Sequence, residues 1–174
     1  MTTVLVAEDD VNDRLLIETA FQSVGVKGPV HLVNDGLEAI AYLMGEGQYS
    51  DRSRFAYPSF IITDLKMPKL DGLAVLQHLK SNPAWSIIPT IVLSASADED
   101  DIRTAYQLGA SSFHSKPAKF AELLALVKMI HDYWMSCEIP EVDVSGKQVK
   151  TPKKGKLGER FKQPEQGCQT RVDR

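Results

Sequence analysis

Cysteine is almost missing from this chain: Cys137 and Cys168 are the only two in 174 residues. Both lie outside the patterned region, so no disulfide framework is encoded. Long apolar runs are missing too, and none approaches the roughly 20 residues that cross a bilayer. Met1-Thr2-Thr3 leads straight into an apolar run holding Glu8 and Asp9. There is no basic segment and no small-residue cleavage site, which argues against a signal peptide. The expectation is a protein of the reducing cytoplasm with no membrane partner. His31, His78, His114 and His131 show no metal-ligand spacing, and none is expected to be catalytic. No internal repeat is visible.

The charge is uneven. Residues 1–137 carry 11 Lys+Arg against 17 Asp+Glu, a net −6, and residues 138–174 carry 9 against 6, a net +3. The basic residues of the acidic body are scattered, so nucleic acid is not an expected partner. The tail from 138 onward has Lys, Gly, Pro and Gln without apolar period, and reads as disordered. The expected division is a folded unit over 1–137 and a basic appendage over 138–174.

Short apolar runs alternate with segments of helical period. Val4–Ala7, Val30–Val33, Ser59–Thr63, Pro89–Leu93 and Ser111–Ser115 read as strands. Between them, Leu16, Ile17, Ala20, Phe21 and Val24 line one helix face. Asp35 with Glu38 forms a capping box that opens a second helix. Asp71-Gly72 opens a third, and Ser96 with Glu99 suggests the cap of a fourth. Phe120, Leu123, Leu124, Val127, Ile130 and Trp134 keep the period of a fifth. Strict strand–helix alternation implies an α/β fold, a doubly wound parallel sheet with helices on both faces. Gly45–Pro58 is a polar connection longer than usual and reads as a solvent loop, with a partner contact as the other option.

In such sheets ligands bind beyond the carboxyl ends of the strands. Four strands end in residues with chemical potential: Glu8-Asp9, Asp64, Ser94 and Lys116. Three carboxylates brought together repel unless a cation compensates. A hard divalent ion with oxygen ligands suits them, and Mg²⁺ also accepts a phosphate oxygen. A carboxylate can act as nucleophile toward phosphorus and form an acyl phosphate. Asp10 and Asp13 read as first-turn helix charges, and Asp98–Asp101 as a solvated helix start.

The set Glu8-Asp9, Thr63-Asp64-Leu65-Lys66-Met67-Pro68 with Asp71-Gly72, Ser94-Ala95 and Lys116-Pro117 resembles the motifs of response-regulator receiver domains. The resemblance covers residues 3 to about 136. It implies a flavodoxin-like (βα)5 sheet of strand order 2-1-3-4-5. It implies Asp64 as phosphoacceptor, assisted by Ser94 and Lys116. Mg²⁺ would be held by Asp9, Asp64 and the Lys66 backbone carbonyl, with Glu8 acting through water. Phe113 matches the aromatic switch position. A histidine kinase is the implied phosphodonor, and the fourth helix, fifth strand and fifth helix form a face for homodimers. The long loop before the third strand resembles the single-domain regulators of phytochrome-type kinases, especially cyanobacterial ones. Output through protein–protein contacts is then expected.

Two other functions fit parts of the pattern. A Mg²⁺-dependent phosphatase with an aspartate nucleophile uses a similar residue set, but usually has a second Asp two residues on, where this chain has Lys66. An unphosphorylated scaffold would have no need of the acidic constellation.

Overall fold

The computed structural model describes residues 2–138, 142–143 and 145–149. Five strands, β1 (Val4–Ala7), β2 (Val30–Val33), β3 (Phe60–Thr63), β4 (Thr90–Ser94) and β5 (Ser112–Ser115), alternate with five helices. These are α1 (Val11–Val24), α2 (Gly36–Met44), α3 (Gly72–Ser81), α4 (Glu99–Gln107) and α5 (Phe120–Ser136). All pairings are parallel, in the order β2-β1-β3-β4-β5. This is the doubly wound fold and the strand order that the motifs implied.

The three central strands are buried along their whole length. Both faces of the sheet are covered, which is why these strands read as continuous apolar runs. Val4, Val6, Phe60, Ile62, Ile91 and Leu93 pack with Ile17 and Phe21 of α1 and Leu123, Val127 and Ile130 of α5. Leu5, Ala7 and Ile61 point the other way, toward Tyr42 and Leu43 of α2 and Val75 and Leu79 of α3. Each of the Val, Leu, Ile and Phe side chains contributes about 1.5–3 kcal/mol on burial. The sheet is thus a stiff base, and its carboxyl edge inherits that stiffness.

Aspartates begin four helices. Asp10, Asp35, Asp71 and Asp98 each accept backbone N–H bonds in the first turn. The Asp35–Glu38 box forms with a shift of one residue: the Glu38 carboxylate takes the Asn34 N–H, at 2.7 Å. The α4 cap is Asp98, not Ser96. Its carboxylate takes the Asp100 and Asp101 amides at 2.9 and 3.3 Å, and so serves two orphan donors. Gly25 and Gly45 close α1 and α2 at φ of 74° and 71°, the left-handed cap that glycine adopts without strain.

Three regions depart from expectation. The segment 45–58 is not a solvent loop. It carries a 3₁₀ turn (Gly47–Tyr49), and Tyr49 is buried against Tyr42 and Phe55. Polar composition hid this, because the apolar content lies in aromatics without period. Ser96 does not cap α4, and within that helix Tyr106 is half exposed, with its hydroxyl accepting the Phe113 N–H at 3.2 Å. Part of the tail packs onto the body. Val142 rests on the α2–α3 core, and Gln148 Nε2 donates to the Pro83 carbonyl at 2.7 Å. Residues 150–174, most of the expected basic tail, lie outside the described residues.

Candidate functional site

Strand register builds the site. Ala7 pairs with Thr63, so Glu8 and Asp64 leave the sheet side by side. Asp64 donates its N–H to the Ala7 carbonyl at 2.9 Å, and Glu8 donates to Val33 at 3.1 Å. Ser94 pairs with Ser115, and the Lys116 N–H donates to the Ser94 carbonyl at 2.8 Å. Four positions distant in sequence therefore reach one rim as a direct result of backbone pairing.

They line a cleft of about 510 Å³ together with Asp9, Asp10, Asn12, Asp13, Lys66, Ala95 and Ser96. Glu8 and Asp64 are buried, Ser94 is fully buried and Asp9 is exposed. Asp64 Oδ1 accepts the Leu65 and Lys66 amides at 2.5 and 3.3 Å. Asp64 Oδ2 faces Lys116 Nζ at 2.7 Å. The Ser94 hydroxyl accepts the Ser96 N–H at 3.2 Å.

Lys116 Nζ also meets Glu8 at 2.7 Å and Asp13 at 2.8 Å. Burial works against its ammonium, but hydrogen bonds to Asp13, Asp64 and Glu8 prevail and raise its pKa above the ordinary lysine value. Burial pushes the Glu8 carboxyl up to about 7, with the Asp64 charge adding to the rise and Lys116 opposing it. One ammonium does not balance this much negative charge.

Glu8, Asp9 and Asp64 each offer an oxygen, all within 4.8 Å of one another. An all-oxygen, carboxylate-rich set suits a hard cation such as Mg²⁺ or Mn²⁺ and not a soft one. The residues present fit such an ion.

The sheet does not hold every part of the site. Arg14 of α1 donates to the Glu8 and Asp9 carbonyls at 2.6 and 2.9 Å and ties down the first loop. Gly72, at the start of α3, lies so close to the Asp64 carbonyl that a Cβ there would collide with it. Its N–H donates to Leu65 at 2.9 Å. Lys69 takes a left-handed φ of 63° and meets the buried Asp35 carboxylate at 2.5 Å, which joins the β3–α3 loop to α2. Lys66 reaches the other way, to Asp101 of α4 at 2.8 Å.

Of the residues expected at the site, Glu8, Asp9, Asp64, Lys66, Ser94 and Lys116 line one cleft. Phe113 does not. It is half-buried on β5 and packs with Leu65, Leu76, Val92 and Ala105 behind the rim. The sequence reading gave Asp13 only a helix-charge role, yet it is a direct partner of Lys116. Its place in the first turn of α1, directly after the Glu8-Asp9 rim, puts it within reach of the cleft. Arg14 gave no signal, since a first-turn arginine is an ordinary surface residue.

A parallel sheet of this order with an acidic, lysine-bearing rim defines a receiver domain. The chain belongs to the response regulator receiver domain family, which matches residues 4–128. It is a response regulator of two-component signalling. The response regulator Rcp1 of Synechocystis is 32% identical over 132 residues, which span 76% of this chain and 88% of Rcp1. The crystal structure of the phosphorylated cyanobacterial phytochrome response regulator RcpA superposes with a TM-score of 0.75. Its identity is 38%, over 80% of this chain and 99% of RcpA. The Mn²⁺-bound form of Rcp1 gives a TM-score of 0.73 at 30% identity, with coverage of 80% and 99%.

Proposed function

We propose that Asp64 accepts a phosphoryl group from the phosphohistidine of a histidine kinase. The observation that carries this reading is the convergence on Asp64 of a partly buried ammonium, two backbone amides and two further carboxylates. The P–N bond of the donor breaks and a P–O bond to an Asp64 oxygen forms. The imidazole nitrogen keeps the electron pair. An ionised carboxylate has no proton to lose, so the step needs no general base. Glu8, Asp9, Asp64 and the Lys66 carbonyl are the residues to hold Mg²⁺. Bound there, Mg²⁺ would neutralise charge as the two anions approach. Lys116 and the Ser94 hydroxyl stand ready to bond the phosphoryl oxygens.

The molecule is a phosphoacceptor and not a turnover enzyme. A phosphatase of this chemistry needs an acid/base two residues after the nucleophile. Lys66 stands there, and its hydrogen bond to Asp101 raises its pKa, so it remains a cation. Output passes through protein contacts in the cytoplasm, by Ser94 moving toward the acyl phosphate and Phe113 following. Similarity to Rcp1 and RcpA favours a phytochrome-type kinase as donor. The α4–β5–α5 face is the proposed dimer contact, and neither nucleic acid nor membrane is a proposed partner. No described helix is long and apolar enough to cross a membrane. Residues 1–137 form the receiver and 138–174 a basic appendage.

The test is labelling of the full chain with radioactive acetyl phosphate and Mg²⁺. Acid-stable, base-labile label is expected in the native chain and none in Asp64→Asn. Equal labelling of that variant would overturn the assignment.

A further inference from the structure

An ammonium has three N–H donors. In Lys116 all three have partners: Glu8 at 2.7 Å, Asp13 at 2.8 Å and Asp64 at 2.7 Å. These partners come from different elements. Glu8 follows β1, Asp64 follows β3, and Asp13 stands in the first turn of α1. Only Glu8 and Asp64 belong to the group of carboxylates that a cation can gather. Asp13 has no such second duty.

Phosphorylation at Asp64 changes two of these three partners. The Asp64 carboxylate becomes an acyl phosphate, and Lys116 must turn a donor to a phosphoryl oxygen. Glu8 would serve the cation held by the carboxylate group. Asp13 is not altered by the transfer and lies outside the carboxylates that a cation can gather. We propose that Asp13 is a positioning residue that tethers the Lys116 ammonium over residue 64 while the other contacts exchange. This inference rests on the phosphoacceptor reading of Asp64.

An ordinary helix-start role accounts for less of what is seen. A first-turn carboxylate favours its helix through the dipole without touching anything. Asp10 already caps α1, with bonds to the Asn12 and Asp13 amides at 2.8 and 3.0 Å. Asp13 instead sends its carboxylate across to a lysine 103 residues away, which follows β5, with β3 and β4 lying between that strand and β1. The Lys116 side chain is 13% exposed and Asp13 is 38% exposed, so the pair is partly shielded from water and salt. Without Asp13 the ammonium keeps only the two contacts that phosphorylation disturbs.

The experiment measures binding of beryllium fluoride, a phosphoryl stand-in, to the full chain in Mg²⁺, with acetyl phosphate kinetics alongside. Asp13→Asn is expected to weaken beryllium fluoride about fivefold to tenfold, the scale of one lost charge-assisted hydrogen bond. The limiting rate of phosphorylation falls by a similar factor. The Mg²⁺ concentration for half-saturation moves less than about twofold, because the ligands are intact, and this also shows that the variant is folded. Asp13→Glu restores most of the loss. In a Lys116→Ala background, Asp13→Asn has no further effect. Unchanged beryllium fluoride affinity in Asp13→Asn, or the same loss without Lys116, would overturn the inference. If Asp64→Asn still binds beryllium fluoride, the phosphoacceptor reading fails first, and the inference with it.

Discussion

Lys66 beside the acceptor and Asp101 on α4 form an ion pair of 2.8 Å that links the cleft to a neighbouring helix. Lys66 is 62% exposed, so the pair adds little stability, about 0.5 kcal/mol or less. Its effect on the site is a separate matter. The pair draws the Lys66 ammonium toward α4, away from the space above Asp64. Asp101→Asn releases it to pair with the phosphoryl group and hinder water. The acyl phosphate should then last about twofold to fivefold longer, measured by loss of label, while the urea midpoint moves little. A shorter lifetime would show that Lys66 does not shield the phosphoryl group.

Asp9 offers a test of the cation site by stability alone. Glu8, Asp9 and Asp64 crowd their charges, and among the described residues Lys116 is the cation paired with Glu8 and Asp64. Asp9→Asn removes one repelling charge and one ligand. In chelator the variant should unfold at higher urea than the native chain. In millimolar Mg²⁺ the order should reverse, since binding at about 100-fold above Kd adds about 2.7 kcal/mol to the native chain only. An Asp9→Asn variant that gains as much from Mg²⁺ as the native chain would remove Asp9 from the ligand set.

Much of this site was legible in the sequence, and the reason is geometric. Residues at strand ends in a parallel sheet converge whatever the loops contain, so Glu8, Asp9, Asp64, Ser94 and Lys116 could be placed from strand boundaries. What escaped depends on side-chain reach and not on register. Asp13 and Arg14 are adjacent first-turn residues of α1, yet one reaches Lys116 and the other the Glu8 and Asp9 carbonyls. No periodicity encodes that choice. The 45–58 segment escaped for another reason. Tyr49, Phe55 and Tyr57 pack as a cluster with Tyr42 and His31, and clusters leave no repeating signal.

His31 makes that cluster sensitive to pH. Its ring lies 5.4 Å from Tyr42 and 5.2 Å from Phe55, and its buried Nε2 has no hydrogen-bond partner among the described residues. Burial holds its pKa below 6.5, and the Arg54 charge adds to this. The native state therefore binds fewer protons than the unfolded chain, and stability is lost as pH falls below 6.5. Glu8 acts with the opposite sign: its raised pKa makes stability decline as pH rises from 4.5 toward about 7. Comparing His31→Phe with the native chain at each pH cancels the Glu8 contribution. The variant should be the more stable at pH 5.5, by about 1 kcal/mol, and the gap should narrow by pH 7.5. A difference that does not vary with pH would mean that His31 does not titrate in this range.

Arg52 holds the same segment to the body. Its guanidinium donates to the Tyr42 and Leu43 carbonyls at 2.8 and 2.5 Å and to Phe55 at 3.2 Å. Both of the first two are last-turn carbonyls of α2, and that of Tyr42 also accepts the Gly45 N–H at 3.2 Å. The cation also lies over the Tyr57 ring, at 4.2 Å. A lysine cannot copy a planar fork that serves three carbonyls and a ring at once. Arg52→Lys should cost about 1–2 kcal/mol and Arg52→Ala about 3 kcal/mol in urea unfolding. Amide exchange should quicken across residues 45–58 in both. The cleft is lined by residues that end or follow β1, β3, β4 and β5 and by the start of α1, and by none of residues 45–58, so beryllium fluoride affinity should stay within about twofold. If that affinity fell together with stability, the aromatic cluster would have to be counted as part of the support for the acceptor site.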